Sequence, residues 1–274
     1  EIGACDWSSD VCSSDLATRA VWALTAGLLA LFAGLGYAVP RLAGSDDVPF
    51  SAYLDVLVTV VTPLFPLIGL VLGYRAIVAG RDSGTATLAL SLPNSRRDLV
   101  LGKFLGRTVA FAGAVAVAGL LAGGYLLLSY ADFAALDYAI VLFATFGYTL
   151  AFLGIAVGLS AGVASPRRVI GAAFGVYALL AMLWRTVVQT VMLLLFRFQP
   201  PAEPPTWVEF ARFVEPGTSL NYLLATEFDV GTVPPETVIG TEPFVSTTGA
   251  LAALLSWTLL PVLLGYVRFQ RSEL

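Results

Sequence analysis

Histidine is missing from this chain of 274 residues, and charge is scarce: Asp, Glu, Lys and Arg together make up 12%, about half the share of an ordinary soluble protein. Losing histidine removes the commonest metal ligand and the commonest general base. Ser-His-Asp hydrolysis, intramembrane Ser-His proteolysis and zinc-protease chemistry are thereby excluded. Cysteine is nearly absent too. Cys5 and Cys12 both lie in the polar opening stretch EIGACDWSSDVCSSDL, at a spacing that fits no metal site and fixes no redox compartment. A Gly-x-x-x-x-Gly-Lys-Ser/Thr phosphate loop occurs nowhere. With a net charge of −4 and a pI near 4.8, nucleic acid is a poor partner.

What the chain has is apolar length. Hydrophobic residues make up 58% of it, which leaves too little polar surface for one or two soluble domains. Its solvent is lipid. Crossing a bilayer takes about 20 mainly apolar residues as a helix, and six segments meet that test: 21–39, 56–79, 108–130, 138–163, 169–196 and 248–267. The runs are too long and too uniform to alternate as barrel strands, so the expected fold is an all-α, polytopic six-helix bundle. Residues 1–16 read as foreign to the rest, resembling translated adapter sequence, and are set aside as non-native or disordered; residues 17–274 then form one membrane domain.

Charge sets the expected orientation. With six spans, Arg19, Arg81, Arg96, Arg97, Lys103, Arg107, Arg167, Arg168, Arg268 and Arg271 all fall on one side. The other side holds Arg41, Arg197 and Arg212 and most of the acids, among them Asp132, Glu203, Glu209, Glu215 and Glu242. Basic short loops mark the cytoplasm, which puts both termini and the 80–107 loop inside and the 197–247 segment outside. The acidity also suits a salt-loving archaeon, since acid keeps a surface hydrated at high salt.

Small residues mark close helix contacts. Gly154, Gly158 and Gly162 repeat every fourth residue, as do Gly119 with Gly123 and Gly171 with Gly175, either within the bundle or between copies. Ionisable groups inside the spans are rare. Arg75 lies where it can snorkel to headgroups. Arg185 and Gln189 share a helix face, one turn apart in the fifth span: a polar patch along a translocation path, or a helix break that places Arg185 at the interface. Pro63 and Pro66 kink the second span, as a hinge or as a static bend. The fifth span is long enough to bend near Trp184 and Arg185.

The stretch GRDSGTATLALSLPNSRRDLVLGKFLGR, between spans two and three, is the most distinctive. It reads as an amphipathic helix over Ser83–Leu92, broken by Pro93. A second helix starts at Asn94 or Ser95, with Asp98 near its positive end, and runs on into span three. Leu88, Leu90 and Leu92 supply apolar surface and Arg96, Arg97 and Lys103 supply charge, which fits a docked cytosolic partner or lipid headgroups.

Asp82-Ser83-Gly84-Thr85, the apolar run to Leu92-Pro93, Ser95-Arg96 and Gly102-Lys103 resemble the cytoplasmic loop of type-2 ABC transporter permeases. The six-span layout and the long segment between spans five and six extend the resemblance over most of the chain. Gly80 and Asp82 stand where that family commonly has Glu. The resemblance implies a permease subunit of the cell membrane that is not itself an enzyme. It pairs with a second permease as a homo- or heterodimer, and a separate cytosolic ATPase holds the ATP and Mg. The implied coupling residues are Arg81, Asp82, Ser83, Gly84, Thr85, Leu88, Leu92, Pro93, Ser95 and Arg96. Arg185, Gln189, Pro63 and Pro66 are candidates for the path, and export is the expected direction. A membrane scaffold or membrane-embedded enzyme without an ATPase is the alternative. In the outer segment, Trp207–Phe213 has helical spacing and is expected to lie along the membrane surface.

Overall fold

Once water is absent, a helix is the one open-chain form that satisfies its own backbone, and the apolar runs above all become helices. The computed structural model describes residues 6–45, 47–78, 96–163, 165–201, 203–228, 230 and 242–271. Its elements are α1 (Asp6–Ala43), α2 (Phe50–Gly73), α3 (Arg96–Ser129), α4 (Ala135–Gly162), α5 (Pro166–Tyr177), a π-helical stretch (Ala178–Leu183), α6 (Trp184–Leu195), α7 (Thr206–Phe213), α8 (Pro216–Glu227) and α9 (Thr247–Gln270). With α5, the π stretch and α6 counted as one span, six helices are long and apolar enough to cross a membrane, the number expected. The first is one helix from Asp6, through much of the stretch set aside above; its apolar part begins at Arg19.

The helix ends have local causes. Asp132, in the α3–α4 turn, accepts the Phe50 amide at 2.9 and 3.2 Å and so supplies α2 with the N-terminal partner that Pro49 lacks. That start is earlier than the expected residue 56, and the end is earlier too. After Gly73 the chain turns, and the amides of Ile77 and Val78 both donate to Ser160 Oγ of α4, at 2.9 and 3.0 Å. Pro166 opens α5 at a position that needs no amide hydrogen.

α4 is the central helix, with α2 packed on one face and α9 on another. Backbones approach this closely only where side chains are absent. A Cβ on Gly69 would lie 2.7 Å from the Thr149 carbonyl oxygen, and one on Gly158 only 2.1 Å from that of Pro261. The Gly154–Gly158–Gly162 repeat is therefore spent inside the subunit, against Thr258, Pro261 and Gly265 of α9. Gly171 and Gly175 differ: nothing lies within 4 Å of a Cβ on either, and the span they belong to is the least covered of the six.

Prolines inside helices leave carbonyls without partners, because the residue four positions on has no amide hydrogen. The bundle answers with tyrosines. Pro40 frees the Gly36 carbonyl, which accepts from Tyr130 Oη at 3.1 Å. Pro66 frees the Thr62 carbonyl, which accepts from Tyr148 Oη at 3.0 Å.

Candidate functional site

The Pro63–Pro66 bend in α2 is clasped from two sides. Tyr148 reaches it from α4, and Tyr177 from the end of α5 donates to the Pro63 carbonyl at 3.2 Å. Tyr148 is buried and sits roughly 20 Å along α4 from Ala135, near the middle of the bundle. The second flaw in the helical lattice lies beside it. Tyr177 is the last residue before the π stretch, whose wider turn ends at Trp184, so Arg185 opens the first turn of α6. The bend expected near Trp184 and Arg185 is thus a π turn directly ahead of them. Such inserted turns commonly coincide with functional positions.

The segment between spans five and six folds back into this region. Arg197 and Phe198 take left-handed conformations (φ 51° and 63°) as α6 ends. α7 is helical, as its spacing predicts, but it packs inward, with Val208 and Phe213 buried. Trp184 Nε1 donates to the Ala211 carbonyl at 2.6 Å, and Arg212 donates to Gln189 Oε1 at 2.7 Å. One face of α7 is thus held by α6, while Trp207 and Phe210 on it remain exposed.

At the tip of the fold-back, Glu215 caps α8. Its carboxylate accepts from the amides of Gly217 and Thr218, both at 2.7 Å, and from Thr218 Oγ1 at 2.8 Å. The tip lies against Tyr148: a Cβ on Gly217 would be 3.4 Å from the Tyr148 hydroxyl oxygen. Trp257 Nε1 of α9 holds the Val214 carbonyl at 2.8 Å, and Ser219 Oγ holds that of Phe213 at 2.7 Å. α8 then leaves with Leu220, Leu223 and Leu224 buried against α4 and α9.

Glu215 is buried. Burial pushes its carboxyl above the ordinary value of 4.5, while the Gly217 and Thr218 hydrogen bonds and the positive charge of Arg185 pull the other way. The site therefore joins an acid, two phenols, a proline-bearing helix and a π turn near the middle of α4. It carries no ligand set for a metal among the described residues. Its chemistry is that of exchangeable hydrogen bonds, suited to two packings of the same parts.

Of the residues singled out for a path, Pro63 and Pro66 lie at the clasped bend, Gln189 receives Arg212, and Arg185 is exposed on α6 with its charge felt at Glu215. Arg81, Asp82, Ser83, Gly84, Thr85, Leu88, Leu92, Pro93 and Ser95, with the proposed caps Asn94 and Ser95, lie outside the described residues. Arg96 is described and sits at the start of α3, where it donates to the Phe269 and Gln270 carbonyls at 2.6 and 3.1 Å. Sequence reasoning missed Glu215, Tyr148 and Tyr177. An acid directly before Pro-Gly-Thr is a signal for a helix start, and that signal was available for Glu215. No local signal marks the tyrosines.

A family model described as "ABC-2 family transporter protein" matches residues 8–274. Two curated relatives share the name "Probable ABC transporter permease protein NosY". The one from Pseudomonas aeruginosa is 26% identical over 264 residues, covering 92% of this chain and 93% of its own. The one from Stutzerimonas stutzeri is 29% identical over 259 residues, covering 91% and 92%.

Proposed function

This chain belongs to the ABC-2 family of transporter proteins and is a multi-pass membrane permease of an ABC transporter, and from that premise we propose how it is driven. The 80–107 loop faces the cytoplasm, with both termini, and docks a separate ATPase subunit that binds ATP and Mg. Hydrolysis there moves the loop, and the permease exports its substrate together with a second permease subunit.

The observation that carries this reading is the construction of α2. This helix leads directly into the loop, and its bend at Pro63 and Pro66 is held by the hydroxyls of Tyr148 and Tyr177. Each bond joins one hydroxyl to one carbonyl at the proline bend, so α2 is held there by two discrete contacts and can pass between two bends as the loop moves. The fold-back tip at Glu215 lies against the same Tyr148, which ties the far end of the bundle to that bend. Pairing with a second permease is supported by the fifth span. Its exposed residues include Arg185, Thr186 and Thr190 as well as Gly171 and Gly175, a face that lipid covers poorly.

The test is to tag the C-terminus, extract the protein gently from its native membrane and identify what accompanies it. A stoichiometric ATPase with a phosphate loop is expected, lost when residues 83–92 are scrambled and weakened by Gly84→Trp or Pro93→Trp. A clean preparation without any ATPase, from membranes where such subunits are abundant, would sink the reading and favour a scaffold or membrane enzyme.

A further inference from the structure

The region between α2 and α3 has two described stems, residues 76–78 and the start of α3 at Arg96, and each is fastened to a helix that is not its own neighbour in sequence. At the first stem, Ala76, Ile77 and Val78 are buried, and the amides of Ile77 and Val78 converge on the one hydroxyl oxygen of Ser160, which is 0% exposed. Two donors fill the lone pairs of that oxygen. Arg107 Nε closes the end of α2 by donating to the Leu72 carbonyl at 2.5 Å.

At the second stem, Arg96 donates to the last carbonyls of α9, at Phe269 and Gln270, and its guanidinium lies 5.4 Å from the centre of the Phe269 ring. A cation suits the negative end of a helix. Between the stems, Ile77, Val100, Leu153, Val157, Val262 and Phe269 form one buried cluster. The two receiving helices are themselves locked together: a Cβ on Gly265 of α9 would sit 2.3 Å from the Gly158 carbonyl oxygen of α4.

We propose that Ser160 and Arg96 are positioning residues that fasten both stems of the loop to the α4–α9 pair, so that loop motion is delivered to those two helices as one body. The proposal rests on the coupling reading above. It places the yielding contact away from α4–α9 and at the Pro63–Pro66 bend of α2, where Tyr148 of α4 and Tyr177 of span five each hold an α2 carbonyl through a hydroxyl bond. The loop thus drives the rigid pair, and the clasped bend is where the rest of the bundle yields.

The experiment uses the permease co-expressed with its ATPase in nanodiscs, with Cys5 and Cys12 replaced by serine and spin labels at Leu42 and Thr226, on exposed positions of α1 and α8. The readout is the change in label distance between the nucleotide-free and ATP-vanadate states. In Ser160→Ala the ATPase still co-purifies and hydrolyses ATP, but the distance change falls to roughly half or less of the wild-type value; Arg96→Gln, read on the fraction that retains its ATPase, falls likewise. Arg96→Lys, which keeps a donor, retains most of it. A full distance change in both Ser160→Ala and Arg96→Gln overturns the proposal and leaves the coupling reading standing. Absence of any ATPase from the wild-type preparation overturns both, and is seen before a variant is made. Should Ser160→Ala fail to fold, Arg96→Gln, at the partly exposed start of α3, decides alone.

Discussion

Adding one methyl group to two different glycines should change stability in opposite directions. At Gly158 the new Cβ of an alanine lies 2.1 Å from the Pro261 carbonyl oxygen, about 1.3 Å short of the 3.4 Å at which ordinary contact begins. The obstacle is backbone on both helices, so neither side can turn a rotamer to make room. α4 and α9 must part, and every close contact along Gly154, Gly158 and Gly265 loosens with them. Overpacking of this kind costs about 1–3 kcal/mol, set against about 1 kcal/mol that alanine gains in helix propensity. A net loss of up to about 2 kcal/mol follows for Gly158→Ala. At Gly113 of α3 nothing lies within 4 Å of a new Cβ, so Gly113→Ala keeps only the propensity term and gains up to about 1 kcal/mol. Thermal unfolding of both variants in one detergent, followed by tryptophan fluorescence, compares them directly. Equal or inverted midpoints would refute the claim that backbone contact, and not helix propensity, governs the α4–α9 seam.

Other consequences can be checked the same way. Tyr148→Phe leaves the Thr62 carbonyl without a partner and should cost about 1–3 kcal/mol. Pro66→Ala restores an amide hydrogen for that carbonyl, so the double variant should lose far less than the two single effects added, and a strictly additive cycle would remove tyrosine from its proposed role. Glu215 gives a pH effect of definite sign. Its carboxyl is raised in the folded protein, so the folded state holds the proton more tightly than the unfolded chain. Its contribution to stability is fully present below the unfolded value near 4.5 and is lost as pH rises through the folded value. The midpoint of Glu215→Gln should therefore fall less steeply over that window than the wild type; parallel curves would mean that the carboxyl is not buried as described. Replacing Gly175 by Leu, on the open face of span five, should weaken association with a second permease in cross-linking while leaving the monomer's midpoint within about 0.5 kcal/mol.

Much of the fold was legible because length and apolarity alone decide what can cross a bilayer. Small residues every fourth position were equally plain, but their partner was not. Gly154 and Gly158 could have faced any helix, and only the folded chain shows them on Thr258 and Pro261. The prolines announce which carbonyls go unpaired, at Gly36 and Thr62, yet which hydroxyls serve them depends on helices far apart in sequence, Tyr130 and Tyr148. Glu215 was hardest to see. It stands in a polar, proline-rich segment among solvent-type acids, and its burial comes wholly from the fold-back of α7 and α8 between the spans. Gln189 was found from its polarity alone, but its partner, Arg212, lies in that same segment, as does Glu215, which feels the charge of Arg185.

The fold-back also bears on how the protein is made. Helices enter a membrane one after another as the chain emerges, and each needs only its own apolar length to do so. The α7–α8 segment has no such licence, since its place exists only once α4, α6 and α9 stand around it: Trp184 holds one of its carbonyls and Trp257, on the last helix, holds another. Insertion and maturation are then separate events, with all six spans in the bilayer before Glu215 is sealed from water. A ribosome-bound chain stopped before α9 would display that carboxylate to the aqueous side, and the finished chain would not.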